Sequence, residues 1–202
     1  MLPQVNLKNA LVFSIAMSLV LSLGCGNGGE QTEEYVAPPP QPEIFDMPSQ
    51  KMAVVYTKGD PSVAGAQKVP AIFASVNAVI PMYKEKGIEF PREALRARWP
   101  DLGYLPREQW TGIWGLPIPH AVDSLPQEME GIEVKIEVWD YGKVAQILHL
   151  GPYANEGPTI ERLKEFVAKS GYEVIGTHEE EYLTLPGAAD PKTIIRYRIR
   201  EK

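Results

Sequence analysis

KVAQILHLG, at residues 143–151, repeats the pattern of KMAVVYTKG at residues 51–59, and the two copies lie 92 residues apart. Each copy begins with lysine, continues through a short apolar run and ends at glycine, and a helix-like segment follows each glycine. A short apolar run stopped by glycine is typical of a strand that enters a turn. The repeat therefore predicts one structural unit built twice, with a cleft between the halves as the expected place for a site.

The first copy contains signals for strands and a helix. We predict a strand over 51–58, a helix over 63–86, a short extra helix over 91–99 and a strand over 108–116. Pro70 and Pro81 fall inside the predicted helix, where a proline removes a hydrogen-bond donor and clashes with the preceding turn. The regular helix is therefore expected to begin near Pro70 and to kink near Pro81.

The second copy is patterned more clearly. Apolar and charged residues alternate over 132–140, which predicts a strand with one buried face. After a tight turn and the repeated strand, a helix is expected from Pro158 to Gly171, followed by strands over 179–185 and 193–200. Together the copies predict an α+β fold: a duplicated β-α-β-β unit in a curved antiparallel sheet, with helices on one face and a ligand cleft on the other.

The first 24 residues predict an export signal. They contain one base, Lys8, no acid, and a mostly apolar run over 10–23 that is short for a membrane span and typical of a secretory signal. Ser22-Leu23-Gly24-Cys25 is similar to a bacterial lipobox, so Cys25 is the expected site of lipidation, with palmitate, in a lipoprotein of the cell envelope. The alternative is an ordinary signal peptide cut nearby, with Cys25 left as a thiol.

Residues 25–50 are expected to be the lipidated cysteine and a disordered tether, because glycine, proline and acid dominate this segment. Residues 51–202 then form one domain, with repeats over about 51–140 and 141–202. Cys25 is the only cysteine, which excludes an intramolecular disulfide. The formal net charge of −6 offers no electrostatic footprint for nucleic acid.

Several short motifs of the second copy follow one another in a recognisable order: Gly142-Lys143, His149-Leu150-Gly151-Pro152-Tyr153, Gly171-Tyr172-Glu173, Glu180-Glu181-Tyr182-Leu183-Thr184 before Pro186, and Thr193-Ile194-Ile195. The first copy adds Lys58-Gly59-Asp60 and Gly112-Ile113-Trp114. This order resembles the GyrI-like small-molecule-binding domain, the effector-binding domain of AraC- and MerR-type regulators. The resemblance covers about residues 50–201 and is strongest in the last third.

The resemblance implies a cleft at a pseudo-twofold axis in which a glutamate contacts cationic ligands. By motif position that glutamate is Glu180, and Tyr182 matches the family's tyrosine two residues later. Trp114 stands where the first half usually has tyrosine. No DNA-binding helix-turn-helix is recognisable in the sequence, so only the binding module carries over.

The residues alone indicate the same kind of site. In a strand over 179–185, Glu180 and Tyr182 share one face while Leu183 and Leu185 share the other, which we expect to face the helices. A carboxylate beside an aromatic ring suits an apolar cation, through charge and cation–π attraction.

Trp110, Gly112 and Trp114 likewise share one face of a strand, and Gly112 is expected to leave room for the ligand.

The remaining polar residues indicate no metal and no cofactor. His120, His149 and His178 lie far apart without ligand spacing, and His149 is expected to make a structural hydrogen bond. The alternating Arg196, Arg198 and Arg200 predict a wet face or a charged edge.

The leading hypothesis is a membrane-tethered, non-catalytic binding domain for a hydrophobic, cationic small molecule in the cleft between the repeats. The alternative is a hydrolase of reactive small molecules that uses Glu180 and Tyr182, since some GyrI-like proteins hydrolyse cyclopropane-bearing drugs. A third possibility is an envelope protein that binds a protein partner through its open sheet.

Overall fold

The computed structural model describes residues 40–91, 93–185 and 187–202. The predictions of a signal peptide, of lipidation at Cys25 and of the first part of the tether lie outside these residues. The described strands are β1 Glu43–Met47, β2 Gln50–Lys58, β3 Arg96–Trp99, β4 Thr111–Pro117, β5 Lys135–Trp139, β6 Gly142–Leu150, β7 Tyr172–Val174, β8 His178–Tyr182 and β9 Lys192–Glu201. The helices are α1 Pro61–Glu85 and α2 Gly157–Lys169, and short 3-10 turns occupy Arg107–Gln109 and Tyr153–Asn155.

The order of strands in the sheet shows the duplication directly. The sequence of neighbours is β1-β6-β9-β8-β3-β4-β2-β5, every pair is antiparallel, and β7 pairs with β9. Strands β6, β9 and β8 on one side correspond to β2, β4 and β3 on the other, so the β8–β3 pair lies at the pseudo-twofold axis. The predicted α+β fold with a duplicated unit is confirmed.

The two glycines that end the repeated motifs adopt the same backbone conformation. Gly59 has φ 116° and Gly151 has φ 117°, a region that side-chain-bearing residues rarely enter. Their N–H groups make equivalent hydrogen bonds of 2.9 Å, from Gly59 to the carbonyl of Trp110 and from Gly151 to that of Pro191. The repeat therefore extends from sequence to backbone geometry.

Helix α1 begins earlier than predicted. It starts at Pro61, where proline suits the first turn, and the Asp60 carboxylate accepts a 2.8 Å hydrogen bond from the Ser62 N–H. Pro70 and Pro81 both lie inside the helix without ending it. Helix α1 is long and apolar enough to span a membrane by length and composition alone. The core helix of a soluble protein can meet the same two criteria.

Two further expectations from the sequence are wrong. Residues 96–99 form strand β3 in the centre of the sheet, rather than part of a short helix. The expected tether ends too late, because Glu43–Met47 is strand β1 and pairs with β6. Both are short segments whose conformation is set by a partner strand distant in the chain, which local patterning does not report.

One row of side chains crosses the sheet on the face that carries both helices. Residues directly opposite each other in an antiparallel pair point to the same face, and the register gives the row Val55, Trp114, Ala97, Glu180, Ile195, Ile147. Val55 and Trp114 pack in one core with Ile72, Val76 and Val79 of α1, and Ile195 and Ile147 in another with Leu163 and Val167 of α2. The middle of the row, at Ala97 and Glu180, lies between the helices.

Candidate functional site

Three of the predicted site residues, Glu180, Tyr182 and Trp114, lie on the helix-bearing face of the sheet, between the cores packed against α1 and α2. This region, which has the β3–β8 pair as its floor, is called the groove below. Glu180 is at the centre of this floor and only 8% exposed. The helix-facing side of β8 therefore carries Glu180 and Tyr182, which corrects the expectation that Leu183 and Leu185 face the helices; Leu185 is in fact 72% exposed. Sequence alternation predicted which residues share a face but assigned the wrong face to the helices.

Aromatic rings cover Tyr182 from two directions. Trp114 stacks on it with a centroid distance of 5.8 Å and an interplanar angle of 28°, and Tyr153 meets it edge-on at 5.7 Å. Burial and the adjacent charge of Glu180 raise the pKa of the Tyr182 phenol well above its ordinary value. The structure thus brings Trp114, Tyr182 and Glu180 together as predicted, and it adds Tyr153.

Trp110 and Gly112 make packing contacts that the sequence did not predict. A Cβ at Gly112 would lie 2.5 Å from Thr57 Oγ1 and 2.7 Å from Trp114 Nε1, so glycine here makes room for the protein's own side chains and not for a ligand. Trp110 donates its indole N–H to the Leu105 carbonyl at 2.8 Å and packs against Trp99 at 5.9 Å. Both residues support the tryptophan cluster behind Trp114.

Two carboxylates and an imidazole meet at the other end of the groove floor. His178 Nε2 lies 3.1 Å from Glu180 Oε1 and 3.7 Å from Glu156 Oε2, and one ligand atom from each of the three residues lies within 4.8 Å of the others. His178 Nδ1 lies 2.8 Å from the Tyr197 hydroxyl. All three side chains are buried, so their charges raise the free energy of the folded state unless they compensate one another.

The pKa shifts in this cluster follow from burial and from the neighbouring charges. Burial raises the pKa of the Glu156 carboxyl; the hydrogen bond with His178 opposes this, and the charge of Glu180 adds to it. Burial alone would lower the pKa of His178, but the hydrogen bonds and charges of Glu156 and Glu180 outweigh it and raise that pKa. Both shifts reduce the net negative charge that burial of two acids with one imidazole would otherwise leave.

A feature of the second copy alone places Glu156. The 3-10 turn Tyr153–Asn155 lies between Gly151 and α2, and Glu156 follows it at the helix N-cap. His149 holds the region in place, with Nδ1 3.0 Å from Thr159 Oγ1 and Nε2 3.2 Å from the Pro152 carbonyl. The expectation that His149 has a structural hydrogen bond is confirmed.

Sequence reasoning missed Glu156 and His178. The spacing of His178 and Glu180, two residues apart on one strand, signals a shared face and could have identified that pair. Glu156 carries no such signal, because it reaches the pair only through the folding of the turn before α2.

The opposite face of the sheet holds a buried charge network. Arg196 bonds to Glu179 at 2.8 Å and to Glu181 at 3.0 Å, while Arg96 lies 3.1 Å from Glu181 and Arg98 2.8 Å from Glu179. Arg196 is 4% exposed, which corrects the expectation of a wet face for this residue; Arg198 and Arg200 are exposed as expected. Burial would raise the pKa of Glu179, but the charges of Arg196 and Arg98 hold it below its ordinary value.

A cavity of about 310 Å³ opens beside this network. Arg98, Tyr141, Glu179, Arg196 and Arg198 are among its lining residues, whereas Glu180, Tyr182 and Trp114 are not. The face opposite the helices thus has a cleft, but the predicted site residues lie elsewhere.

No protein-family model and no curated protein matches the chain. Solved structures do. A hydrolase from Listeria innocua is 21% identical, with a TM-score of 0.65 over 81% of this chain and 94% of that one. An uncharacterized conserved protein from the same organism is 25% identical over the same shares, also with a TM-score of 0.65.

The C-terminal domain of EcmrR is 15% identical, with a TM-score of 0.56 over 80% of this chain and 98% of that domain. These likenesses show the fold, which agrees with the GyrI-like description reached from the sequence.

Proposed function

We propose that this chain is a binding domain for a small hydrophobic cation, held in the groove between α1 and α2 with its charge at Glu180. The observation that carries the proposal is the composition of the groove floor. Glu180 and Glu156 face a single imidazole there, while Trp114, Tyr182 and Tyr153 supply aromatic surface next to the acids. Likeness to the EcmrR C-terminal domain and to the Listeria structures is consistent with this use of the fold.

Charge balance favours a cation over a neutral or anionic ligand. Among the described residues, the ion pairs of Glu156 and Glu180 involve only His178. With both carboxylates ionised, even a protonated imidazole leaves one surplus negative charge in a buried position. Either protonation of Glu156, whose pKa is raised, or a bound cation would neutralise it. Aromatic faces add about 0.5–2 kcal/mol of cation–π attraction per contact.

Tyr153 has to move for a ligand to reach Glu180. It covers Tyr182 from the solvent side, is 40% exposed itself, and belongs to a 3-10 turn rather than to the sheet. We expect the ligand to take the place of the Tyr153 ring against Tyr182, which preserves an aromatic contact while displacing few others.

Calorimetric titration with tetraphenylphosphonium and with a neutral aromatic of similar size tests the proposal. The cation should bind more tightly than the neutral compound. Glu180→Gln should lower the affinity for the cation at least tenfold and leave the affinity for the neutral compound unchanged. Glu161→Gln, an exposed acid on α2, is the matched control. Equal affinity of the Glu180→Gln variant and the parent for the cation would remove Glu180 from the site.

A hydrolase that uses Glu180 and Tyr182 is the second candidate, and a specific observation favours it. The carboxylate and the phenol lie two residues apart on one buried strand face, and structures of the same fold include proteins described as hydrolases. A carboxylate that positions water beside a phenol could open an electrophilic ring. Incubation with an electrophilic cyclopropane compound should then give ring-opened product, and both Glu180→Gln and Tyr182→Phe should abolish it.

We further propose that Cys25 carries a lipid that tethers the domain to a bacterial membrane at the cell envelope. The support is the lipobox-like Ser22-Leu23-Gly24-Cys25 after an apolar run. Metabolic labelling with an alkyne-tagged palmitate should mark the wild-type chain and not Cys25→Ser. Labelling of both chains, or of neither, would contradict the anchor.

A further inference from the structure

The cluster of Glu156, His178 and Glu180 has the composition of a metal site. Two carboxylates and an imidazole are ligands that divalent transition metals accept, zinc among them. Nothing in the sequence pattern predicts such a site, because Glu156 is 22 residues from His178 and lies at the N-cap of α2 rather than on β8. The groups meet through tertiary structure alone.

The spacing of the ligand atoms suits a single ion. In a tetrahedral site with bonds of about 2.0–2.1 Å, ligand atoms are separated by about 3.3 Å. His178 Nε2 is 3.1 Å from one carboxylate oxygen and 3.7 Å from the other, and all three ligand atoms lie within 4.8 Å of one another. Small side-chain adjustments would therefore complete three coordination positions.

A second observation marks a ligand that is absent from the protein's own contacts. The Glu156 side chain is 9% exposed, and its Oε1 atom is buried without a hydrogen-bond partner. A buried carboxylate oxygen left unpaired costs free energy, whereas coordination would satisfy it. Glu156 makes its nearest ion pair, with His178, through the other oxygen.

The outer partner of the histidine also suits metal binding. Tyr197 Oη lies 2.8 Å from His178 Nδ1, so Nδ1–H can donate to the hydroxyl while the Nε2 lone pair points at the carboxylates. Metal-bound histidines commonly fix their tautomer through such a contact on the second nitrogen. Tyr197 is 6% exposed and belongs to the neighbouring strand β9, which keeps the imidazole plane in position.

We propose that Glu156, His178 and Glu180 bind one divalent transition-metal ion of the zinc class on the groove floor. Two carboxylates and a neutral imidazole carry two negative charges, which one such ion balances. Three protein ligands leave a fourth position for water or for a group of a bound molecule. The proposal needs no organic ligand and is tested on the chain without one. Because the ion would neutralise Glu156 and Glu180, it would compete with an organic cation for the same carboxylates.

Metal titration of the purified full chain carrying Cys25→Ser, which removes the only thiol, tests the proposal. Competition with a chromophoric chelator should give one zinc per chain, and Co²⁺ at the same site should show the strong visible absorption of tetrahedral coordination. Glu156→Gln and His178→Ala should each abolish the cobalt spectrum. Tyr197→Phe should lower the zinc affinity about tenfold and leave the stoichiometry at one ion per chain, as expected for a residue that contacts a metal ligand rather than the metal.

His120→Ala and Glu161→Gln, exposed residues outside the cluster, should leave zinc binding unchanged. Circular dichroism identifies any variant that fails to fold, and Glu156→Gln keeps the shape of the side chain. The proposal is overturned if the parent chain takes up no zinc, or if a folded Glu156→Gln variant binds zinc with unaltered affinity. In either case the cluster is an ion pair of His178 with two acids and nothing more.

Discussion

Trp114 and Tyr182 stack on each other although a whole strand lies between the strands that carry them. Trp114 is on β4, Tyr182 is on β8, and β3 separates the two, yet the ring centroids are 5.8 Å apart. The residue between them is Ala97, which is opposite Trp114 on one side and Glu180 on the other and is fully buried. A small side chain at this position lets the rings meet above it.

Enlarging Ala97 should separate the two rings. Ala97→Leu forces extra methylene groups into a filled site, and we expect it to lower the free energy of unfolding by about 1–3 kcal/mol. Near-ultraviolet circular dichroism should show the loss of the ring contact, and urea unfolding gives the free energy. Ala78→Leu on the exposed side of α1 is the control and should change neither quantity appreciably. Unchanged stability of Ala97→Leu would contradict this account of the stack.

Gly112 should not accept even a methyl group. A Cβ there would lie 2.5 Å from Thr57 Oγ1 and 2.9 Å from a carbon of the Trp99 ring, so Gly112→Ala is expected to destabilise the fold by about 1–3 kcal/mol. Gly157→Ala is the matched control, because no atom other than those of its chain neighbours and its own helix backbone lies within 4 Å of the added Cβ, and the residue is helical. We expect that control to be stabilising by about 0.4–1 kcal/mol. Thermal and urea unfolding of both variants shows whether the two substitutions change the free energy of unfolding in opposite directions.

Removing Arg196 should be costly, because Glu179 and Glu181 would stay buried with Arg98 and Arg96 beside them but without the guanidinium that bonds to both acids. Its guanidinium bonds to Glu179 at 2.8 Å and to Glu181 at 3.0 Å. We expect Arg196→Met to lower the free energy of unfolding by about 3–5 kcal/mol. On the same strand, the ion pair of Arg200 with Glu173 is exposed, so Arg200→Met should cost about 0–1 kcal/mol. Similar losses in the two variants would show that the buried network adds nothing specific.

The raised pKa of Tyr141 predicts that the free energy of unfolding depends on pH in the alkaline range. Burial and the charge of Glu179 raise its pKa to about 12, while an unfolded chain ionises near 10. The unfolded state therefore loses the Tyr141 proton at a lower pH than the folded state does. The contribution of Tyr141 to the free energy of unfolding is complete below pH 10 and falls as the pH rises from 10 to 12. The loss should approach about 1.4 kcal/mol per pH unit within that window.

Urea unfolding at several pH values from 9 to 12 measures this effect. Tyr141→Phe should be less stable at neutral pH, because Tyr141 bonds to Arg96 at 2.9 Å and to Glu179 at 3.1 Å, yet it should lose less stability between pH 10 and 12. Tyr104→Phe, at an 85% exposed tyrosine, should keep the wild-type slope. Parallel slopes for the parent and Tyr141→Phe would rule out a perturbed Tyr141.

The duplicated elements were predictable because their signals are local. The repeated strands, the glycines that end them and the helix stop at Gly171 all follow from apolar periodicity and turn chemistry. Strand β3 was not predictable in this way, since Arg96–Trp99 alternates charge with small and aromatic residues and pairs with β8, which is 85 residues away at the first paired position, Arg96 with Glu181. Its strand conformation comes from that pairing rather than from its own sequence.

The candidate site was likewise predictable only in part. Glu180, Tyr182 and Trp114 were identified from motif position, and the structure brings them together. The acidic partner Glu156 and the role of Gly112 in packing depend on where loops and rings lie in three dimensions. Burial of Glu179 and Glu181 was also hidden, because three consecutive acids in a sequence are usually solvated and only the arginines of β3 and β9 make their burial tolerable.

The loop after Gly151 has four more residues than its counterpart after Gly59, since α1 begins at Pro61 and α2 only at Gly157. A perfectly symmetric groove would offer the same chemistry to both ends of its occupant. The longer loop supplies the carboxylate of Glu156 beside His178 and the phenol of Tyr153 over Tyr182, whereas the loop after Gly59 supplies neither. For the proposed ligand, we therefore expect a molecule with unlike ends to bind in a single orientation, because four extra residues in one repeat make the two ends of the site chemically different.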